Sequence, residues 1–596
     1  MNYNICIDFG TCNSVISYIE DNVLKQIHDD MNGDVLIPST LYFISSNIKI
    51  GTKISELEPE TDYLIGNVAI SQANSNKDLE YYFFQFKRFL GITSKSVNGY
   101  KDFLTRYNLD YTSDEDTIYF YLKSEESQEI KVKFSICDLI KLYMKGLKKM
   151  ILSKLPQLKE LEKIPLIITC PAYFHDLQRT QLKRAAEQAG FEVFKLINEP
   201  TAAAIFYINR FQNPHPTSLT KYIIYDLGGG TIDTTVVDYY PDSNTCEVID
   251  TEGNNGLGGI DIDNILTYNI IQTYSIDKSN SKWLIKIKKY AEEIKIKLTS
   301  QLSYSVYLEN VPIFKSGKLV WIDNLKITYS RQQFNNLVNE IIDEMICSIK
   351  NMYLKYNTSN IIFIGGPTQI PLLQSKVCSI LNINPKEINT IGFVNNTNNN
   401  TIDTNNDTND EKSQQEQNIR AQDLSILYKT IVSQGGSILY RKIYCKEDFC
   451  LLDIIPMNIG ITDIDSNMLV MIGKNSKIPV SIKRTFSTSH DCQRTIDIEV
   501  YEGLDVSCST NTTNTFIGSY KILGIPPLPK GMVLIELLFK ISYNGILEIE
   551  ILGTKNPSDN SAKSFDYKFN SNIKLIPNMV AKEILKKLLL FSEKNK

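Results

Sequence analysis

Asp8-Phe9-Gly10-Thr11-Cys12-Asn13-Ser14 returns in altered form at Asp226-Leu227-Gly228-Gly229-Gly230-Thr231-Ile232-Asp233, and this repetition decides the fold. Each copy follows an apolar strand, Asn4-Ile5-Cys6-Ile7 or Tyr222-Ile223-Ile224-Tyr225, turns through glycine and resumes with β-branched residues. Glycine lets backbone N–H groups approach phosphate oxygens without a Cβ in the way, and the acid before it can hold magnesium directly or through water. A single Asp-x-Gly turn is most often a plain hairpin that holds nothing. Two copies in one chain predict a duplicated clamp for nucleotide phosphates. The chain has no Gly-x-x-x-x-Gly-Lys-[Ser/Thr] loop and no Gly-x-Gly-x-x-Gly opening a helix, so the phosphates are expected between hairpins, across a cleft.

A chain of 596 residues with 42% hydrophobic content predicts two or more domains with large cores. The net charge of −5 is small for this size, and no Lys/Arg stripe accompanies aromatic residues, which argues against a nucleic-acid partner. Eleven scattered cysteines without a Cys-x-x-Cys, and only four histidines, argue against a zinc site or disulfide framework and for a reducing compartment. Met1 runs almost directly into the first strand, and no apolar stretch reaches membrane-spanning length, so a cytoplasmic protein without membrane contact is expected.

Upstream, Ile164–Pro171 followed by a helical pattern over Asp176–Gly190 has the rhythm of an α/β domain. Residues 395–418 are nearly pure Asn, Thr, Asp, Gln and Glu, and are expected to form a disordered surface insertion. Downstream, Thr495–Tyr501 and Leu547–Ile551 alternate apolar and polar side chains, which predicts a compact antiparallel β-sandwich. Between the two textures, Glu447-Asp448-Phe449-Cys450-Leu451-Leu452-Asp453 is an apolar core bounded by acids and reads as a linker with something to dock against. From Pro577 to Leu590, Val580, Ile584, Leu585, Leu588 and Leu589 recur at helical spacing.

Together these motifs resemble the seventy-kilodalton heat-shock chaperones. The similarity runs from Asn4 to about Asn572 through the two hairpins, Phe86–Gly91, Cys170–Phe174, Ile197–Ala204, Leu257–Asp261, Ile364–Pro371 and Gly524–Pro527. It implies an α/β plus β fold: a duplicated, two-lobed actin-like (RNase H-like) ATPase domain at 1–446, a linker at 447–453, a β-sandwich substrate-binding domain at 454–572 and a truncated lid helix at 573–596. It further implies an ATP-dependent molecular chaperone that binds exposed hydrophobic peptide segments of unfolded proteins. ATP/ADP and Mg2+ would be the cofactors, and J-domain cochaperones and nucleotide exchange factors the partners.

By the same resemblance, Lys87, Glu199, Asp226, Asp233 and Thr231 are the catalytic residues, with Lys87 reaching the γ-phosphate and orienting the attacking water. Asp8 and Asp226 would hold magnesium mainly through water. Gly10, Thr11, Cys12, Asn13, Gly228, Gly229, Gly258, Gly259, Glu292, Lys295, Thr299, Gly365 and Gly366, with Asp8, would bind the nucleotide. Read alone, Lys87 is a solvated surface lysine beside Arg88, and Glu199 a helix cap or ion-pair partner. Phosphoryl transfer needs positioning and charge neutralisation, which an ammonium, a metal ion and backbone amides supply.

The family pocket for peptide corresponds to Ile461, Ile464, Phe486, Ser489, Ile496 and Ile535, with Ile498 equally well an ordinary core residue. An extended peptide would bond through its backbone to a strand edge and insert an apolar side chain. Pro171, Arg179, Lys195, Leu451, Leu452 and Asp453 match positions that couple the two activities; taken singly, they read as a turn proline, linker apolars and surface charges.

The chain also departs from the pattern. Cys12 stands where a threonine is usual; a thiol donates hydrogen bonds poorly and is open to oxidation, but the position reads first as a tolerated small residue. Ile296 replaces an arginine that covers the adenine ring, Pro367 and Gln369 replace a serine and an arginine, Ile260 replaces an acid, and Lys429 occupies a usual aspartate position. Loss of one stacked guanidinium costs about 0.5–2 kcal/mol of nucleotide binding. Two rival readings are carried: a non-cycling ATP-binding relative acting as holdase or exchange factor, and a metabolite kinase on the same fold, which would have no use for the sandwich. Only a short helix follows the sandwich, from which fast peptide exchange is expected.

Overall fold

A computed structural model describes residues 3–555 apart from 76–80, 93–109, 115–116, 125–126, 128, 212–217, 280, 359, 383–388, 391–410, 510–511, 524 and 526. The chain forms two compact units, Met1–Tyr173 with Leu182–Leu451, and Phe174–Gln181 with Leu452–Lys596.

In the first unit, strand Cys6–Phe9 sits at the centre of a sheet. It runs parallel to Ile164–Cys170 and antiparallel to Asn13–Glu20, with Phe191–Asn198 and Val23–Gln26 outside them. The second sheet repeats this plan. Thr220–Leu227 runs parallel to Ile361–Ile364 and antiparallel to Ile232–Tyr240, with Asn389–Thr390 and Thr245–Asn254 outside. The glycine hairpins thus occupy equivalent corners of two sheets of like topology, so the repetition in sequence is a repetition in space.

The central strands are continuous apolar runs because both their faces are covered: all of Ile223, Ile224, Tyr225 and Leu227 are buried. The predicted helix after Ile164–Cys170 spans Asp176–Gln188, and another opens at Glu199 and runs to Phe211.

A helix from Glu411 to Tyr444 corrects the expectation for the Asn-rich stretch, because its first eight residues fall inside 395–418. Glu, Lys and Gln dominate Glu411–Gln417, and these residues lose little side-chain freedom in a helix. Asn and Thr crowd the positions before it; 391–410 lie outside the described residues. The same helix carries a glycine pair. A Cβ on Gly435 would lie 1.8 Å from the Ala202 carbonyl oxygen, and one on Gly436 would lie 2.2 Å from Cys6 Sγ. Only glycine permits that crossing with helix Glu199–Phe211, and the Ser17 and Ser433 hydroxyls hydrogen-bond beside it at 2.7 Å.

The segment read as a linker is a strand at Cys450–Ile454. The Cys450 N–H donates to the Asn244 carbonyl at 3.1 Å, and the Lys442 ammonium lies 5.0 Å from the Phe449 ring centroid. Leu451 and Leu452 are half-buried, and Asp453 is buried.

In the second unit, strands Met468–Ile472, Asn458–Thr462, Thr495–Gly503 and Thr515–Leu523 form one antiparallel sheet; Val480–Ser487, Leu534–Ile541 and Leu547–Lys555 form another. The alternation in Thr495–Tyr501 and Leu547–Ile551 resolves into one face turned to a shared core that includes Ile498, Val500, Leu547 and Ile549. The predicted C-terminal helix at 573–596 lies outside the described residues. No described helix is long and apolar enough to cross a membrane.

Candidate active site

Phe86 and Phe89 are buried and bracket the short helix Phe86–Phe89. The Phe86 ring centroid lies 6.1 Å from that of Phe9 and 5.6 Å from that of Tyr143. With its neighbours pinned in this way, Lys87 points inward. It is only 3% exposed, which rules out the solvated-lysine reading, and its Nζ donates to Glu199 Oε1 at 2.8 Å. Glu199 is therefore an ion-pair partner, placed at the first residue of its helix.

Around this pair lie three more carboxylates. Burial, and the neighbouring charge of Glu199, push Asp8 up to about 7; Lys87 and a 2.8 Å hydrogen bond from the Thr169 hydroxyl pull it back. Burial and Glu199 likewise push Asp233 up to about 7, although its Oδ1 accepts the Tyr173 N–H at 3.0 Å. Asp226 is raised well above the usual carboxylate range by burial and by Glu199, Asp233 and Asp8. Burial lowers the Lys87 ammonium's pKa, but Glu199 and Asp8 more than offset this, so the lysine stays charged.

One lysine thus faces four acids in a dry setting, which is a demand for cationic charge. Asp226 Oδ2 is buried and has no hydrogen-bond partner among the described residues. Hard carboxylate oxygens with an unused acceptor fit magnesium. No three described acidic, Cys or His side chains converge closely enough to ligate an ion directly, so such a cation would keep much of its water.

These groups open into a cavity of about 330 Å³. Its walls bring together Asp8, Gly10, Thr11, Cys12 and Asn13 from the first hairpin; Asp226, Gly228, Gly229 and Thr231 from the second; and Lys87, Glu199, Gly259, Glu292, Lys295, Thr299, Gly365 and Gly366. Of the predicted nucleotide and catalytic residues, Asp233 and Gly258 stand just behind the wall. A Cβ on Gly258 would meet the Gly229–Gly230 backbone at 2.7 Å, so Gly258 lets the second hairpin be backed directly by main chain. Gly365 has φ +85°, and a Cβ there would lie 2.0 Å from the Leu227 carbonyl oxygen.

Cys12 Sγ lies 2.6 Å from where a Cβ on Gly229 would be, which packs one hairpin on the other. Burial, reinforced by Glu292, pushes the Cys12 thiol up to about 12. A thiol held protonated is a poor nucleophile, which disfavours oxidation at this position.

Two features escaped the sequence reading. Arg88, quoted there only within a motif, reaches across the cleft to Asp261 (2.8 Å) and to the Gly256 carbonyl (2.7 Å). Lys295 is held at 2.8 Å by Asp263, whose carboxyl is pushed up to about 6 by burial. The signal for both was Asp261-Ile262-Asp263, two acids just inside a helix that opens with two glycines.

A protein-family model described as "Hsp70 protein" matches residues 4–392 and 432–583. The chain belongs to the Hsp70 protein family. The chaperone protein DnaK of Mycoplasma mycoides is 28% identical over 585 residues, covering 96% of this chain and 80% of that protein. DnaK of Mycoplasmopsis pulmonis is 28% identical over 591 residues, with 95% and 80% covered, and dnaK of Cyanidium caldarium is 27% identical over 560 residues, with 91% and 77% covered.

The positions at which the sequence departs from the Hsp70 pattern gather on one side of the cavity. Ile296 is 55% exposed and lines the cavity together with Pro367, Gln369, Tyr428 and Lys429, and among the described residues no arginine lines it. The Thr299 hydroxyl donates to the Ile296 carbonyl at 2.7 Å.

The residues predicted to bind peptide separate into three environments. Ile461 and Ile535 belong to the sandwich core beside Ile498, while Phe486 and Ile496 pack against that core half-buried. Ile464 is 91% exposed, and Ser489 Oγ lies 2.8 Å from His490 Nδ1. Among the coupling positions, Pro171, Lys195 and Leu451 fall in the first unit; Arg179, Leu452 and Asp453 fall in the second. Arg179 is buried, its Nε donating to the Phe174 carbonyl at 2.9 Å.

Proposed function

We propose that the chain is an ATP-dependent molecular chaperone, hydrolysing ATP in the cleft between its two glycine hairpins and binding extended apolar polypeptide through its sandwich. The observation that carries the reading is the buried Lys87–Glu199 pair, 2.8 Å apart and set among Asp8, Asp226 and Asp233. Kinship with the DnaK chaperones supports the same function.

The hairpin backbone around Gly10–Asn13 and Gly228–Thr231 holds the phosphates by N–H donation and excludes water from them. Magnesium, when bound, neutralises phosphate charge on the side of Asp8 and Asp226. Lys87 places its ammonium toward the terminal phosphate and, tethered by Glu199, orients the attacking water. Glu199, which lines the cavity, with Asp233 behind it, is the proposed acceptor of the proton that this water gives up. Glu292, Lys295 and Thr299 face the nucleoside. In the sandwich, the half-buried Phe486 and Ile496 offer the apolar seat, with Ile461 and Ile535 packed in the core beneath; Ile464 and Ser489 arch over it, and the peptide backbone pairs with a strand edge.

J-domain proteins and nucleotide exchange factors are the proposed partners. All eleven cysteines are free, which agrees with a reducing, cytoplasmic setting. The test joins two measurements on the full chain: single-turnover hydrolysis of MgATP, and release of a fluorescent apolar peptide on adding MgATP. Hydrolysis that is lost in Lys87→Ala, together with peptide release in the parent, is the expected result; a parent that binds ATP without hydrolysing it overturns the proposal.

A further inference from the structure

The cavity has a face that needs an owner. A nucleobase is a flat apolar ring that binds by stacking, and among the described residues no arginine lines the cavity. Among the described residues its walls hold a single aromatic residue, Tyr428, and its aliphatic lining includes Ile296 and Pro367. Tyr428 comes from helix Glu411–Tyr444, which packs on strand Ile361–Ile364, and that strand runs directly into the Gly365-Gly366-Pro367 turn. The ring is half-buried, so it is held in place yet presents surface to the cavity. Lys429 places its ammonium 5.9 Å from the Tyr428 ring centroid.

Resting on the proposed ATPase function, we infer that Tyr428 is the residue on which the nucleobase stacks, opposite an aliphatic wall that includes Ile296. Base recognition has moved from guanidinium groups to a phenol ring on the long helix. The phosphates remain the business of the two hairpins, so the two ends of the nucleotide are held by separable sets of residues.

Titration calorimetry of the full chain separates the two ends, with MgATP as one ligand and magnesium tripolyphosphate, which has no base, as the other. Tyr428→Ala is expected to weaken MgATP by about five- to hundredfold, the range for removing one base–aromatic stack, and to leave tripolyphosphate unchanged. Tyr428→Phe keeps the ring and is expected to keep parent affinity for both. Undiminished MgATP affinity in Tyr428→Ala overturns the inference. So does equal loss of both ligands, which marks damage to the fold, or a Phe variant that behaves like Ala. A parent that binds neither ligand defeats the ATPase reading as well, whereas a parent that binds both and an Ala variant that matches it defeats this inference alone.

Discussion

Replacing Lys87 with alanine removes an ammonium that faces four carboxylates, and its effect is expected to depend strongly on pH. Breaking a buried ion pair from one side costs about 3–5 kcal/mol when the remaining charge cannot escape. Here it can escape by protonation. Lys87 lowers the pKa of Asp8, Asp226 and Asp233; once it is gone, these groups hold their protons to higher pH. Each pH unit below a carboxyl's raised folded pKa, and above its unfolded value, recovers about 1.4 kcal/mol of folded-state stability. Without nucleotide, Lys87→Ala is therefore expected to lose about 3–5 kcal/mol at pH 8.5 but only about 1–2 kcal/mol at pH 5.5. Both tryptophans, Trp283 and Trp321, lie in the first unit, so urea unfolding followed by their emission reports on the unit that carries the cavity. Equal losses at the two pH values would refute the picture of a lysine that compensates buried acids. So would a variant that hydrolyses ATP at the parent rate.

In the nucleotide-free parent, Asp8 and Asp233 have folded pKa values of about 7 against an ordinary 3.8, so folding takes up protons between these limits and stability falls as pH rises from 4 to 7. Asp233→Asn flattens that slope in thermal melts; an unchanged slope counts against the burial argument. Ile296→Arg restores a guanidinium to the base end and is expected to tighten MgATP by about 0.5–2 kcal/mol in calorimetry. Gly435→Ala pushes a methyl into the Ala202 carbonyl and costs about 1–3 kcal/mol or more in urea unfolding. Alkylation at pH 8 followed by peptide mapping should label the exposed Cys347, Cys445, Cys450 and Cys492 well before Cys12, whose thiol stays protonated to about 12.

The hairpin end of the site was legible because it is written in local order. Glycine turns, the acids before them and the strand patterns around them lie within a few residues of one another, and the structure places Asp8, Thr11, Asp226 and Thr231 in one cavity. The inward turn of Lys87 was implied by the resemblance and not by any local pattern, since it depends on Phe86 packing against Phe9 and Tyr143 and on the burial of Phe89. The Arg88–Asp261 bridge joins residues 173 apart, a pairing that no local pattern encodes. The long helix was hidden by composition. Residues 411–418 were read with the Asn-rich run before them, although their Glu, Lys and Gln favour helix and the apolar positions that anchor it come later, at Ile431, Val432 and Leu439. In the sandwich, alternation located the strands, but it could not show that Ile461 and Ile535 face the core while Ile464 faces water.

At Gly435 the main chains of two helices meet with no side chain between them. Such a joint has no cushion: a tilt of one rod must be followed by the other, because there is nothing compressible to absorb it. One rod begins with Glu199, and the other ends at Tyr444, three residues before the Glu447 carboxylate that Arg441 and Lys442 grip at 3.3 and 3.2 Å. Glu199, the partner of Lys87, is thereby joined through bare backbone to the helix that ends just before strand Cys450–Ile454.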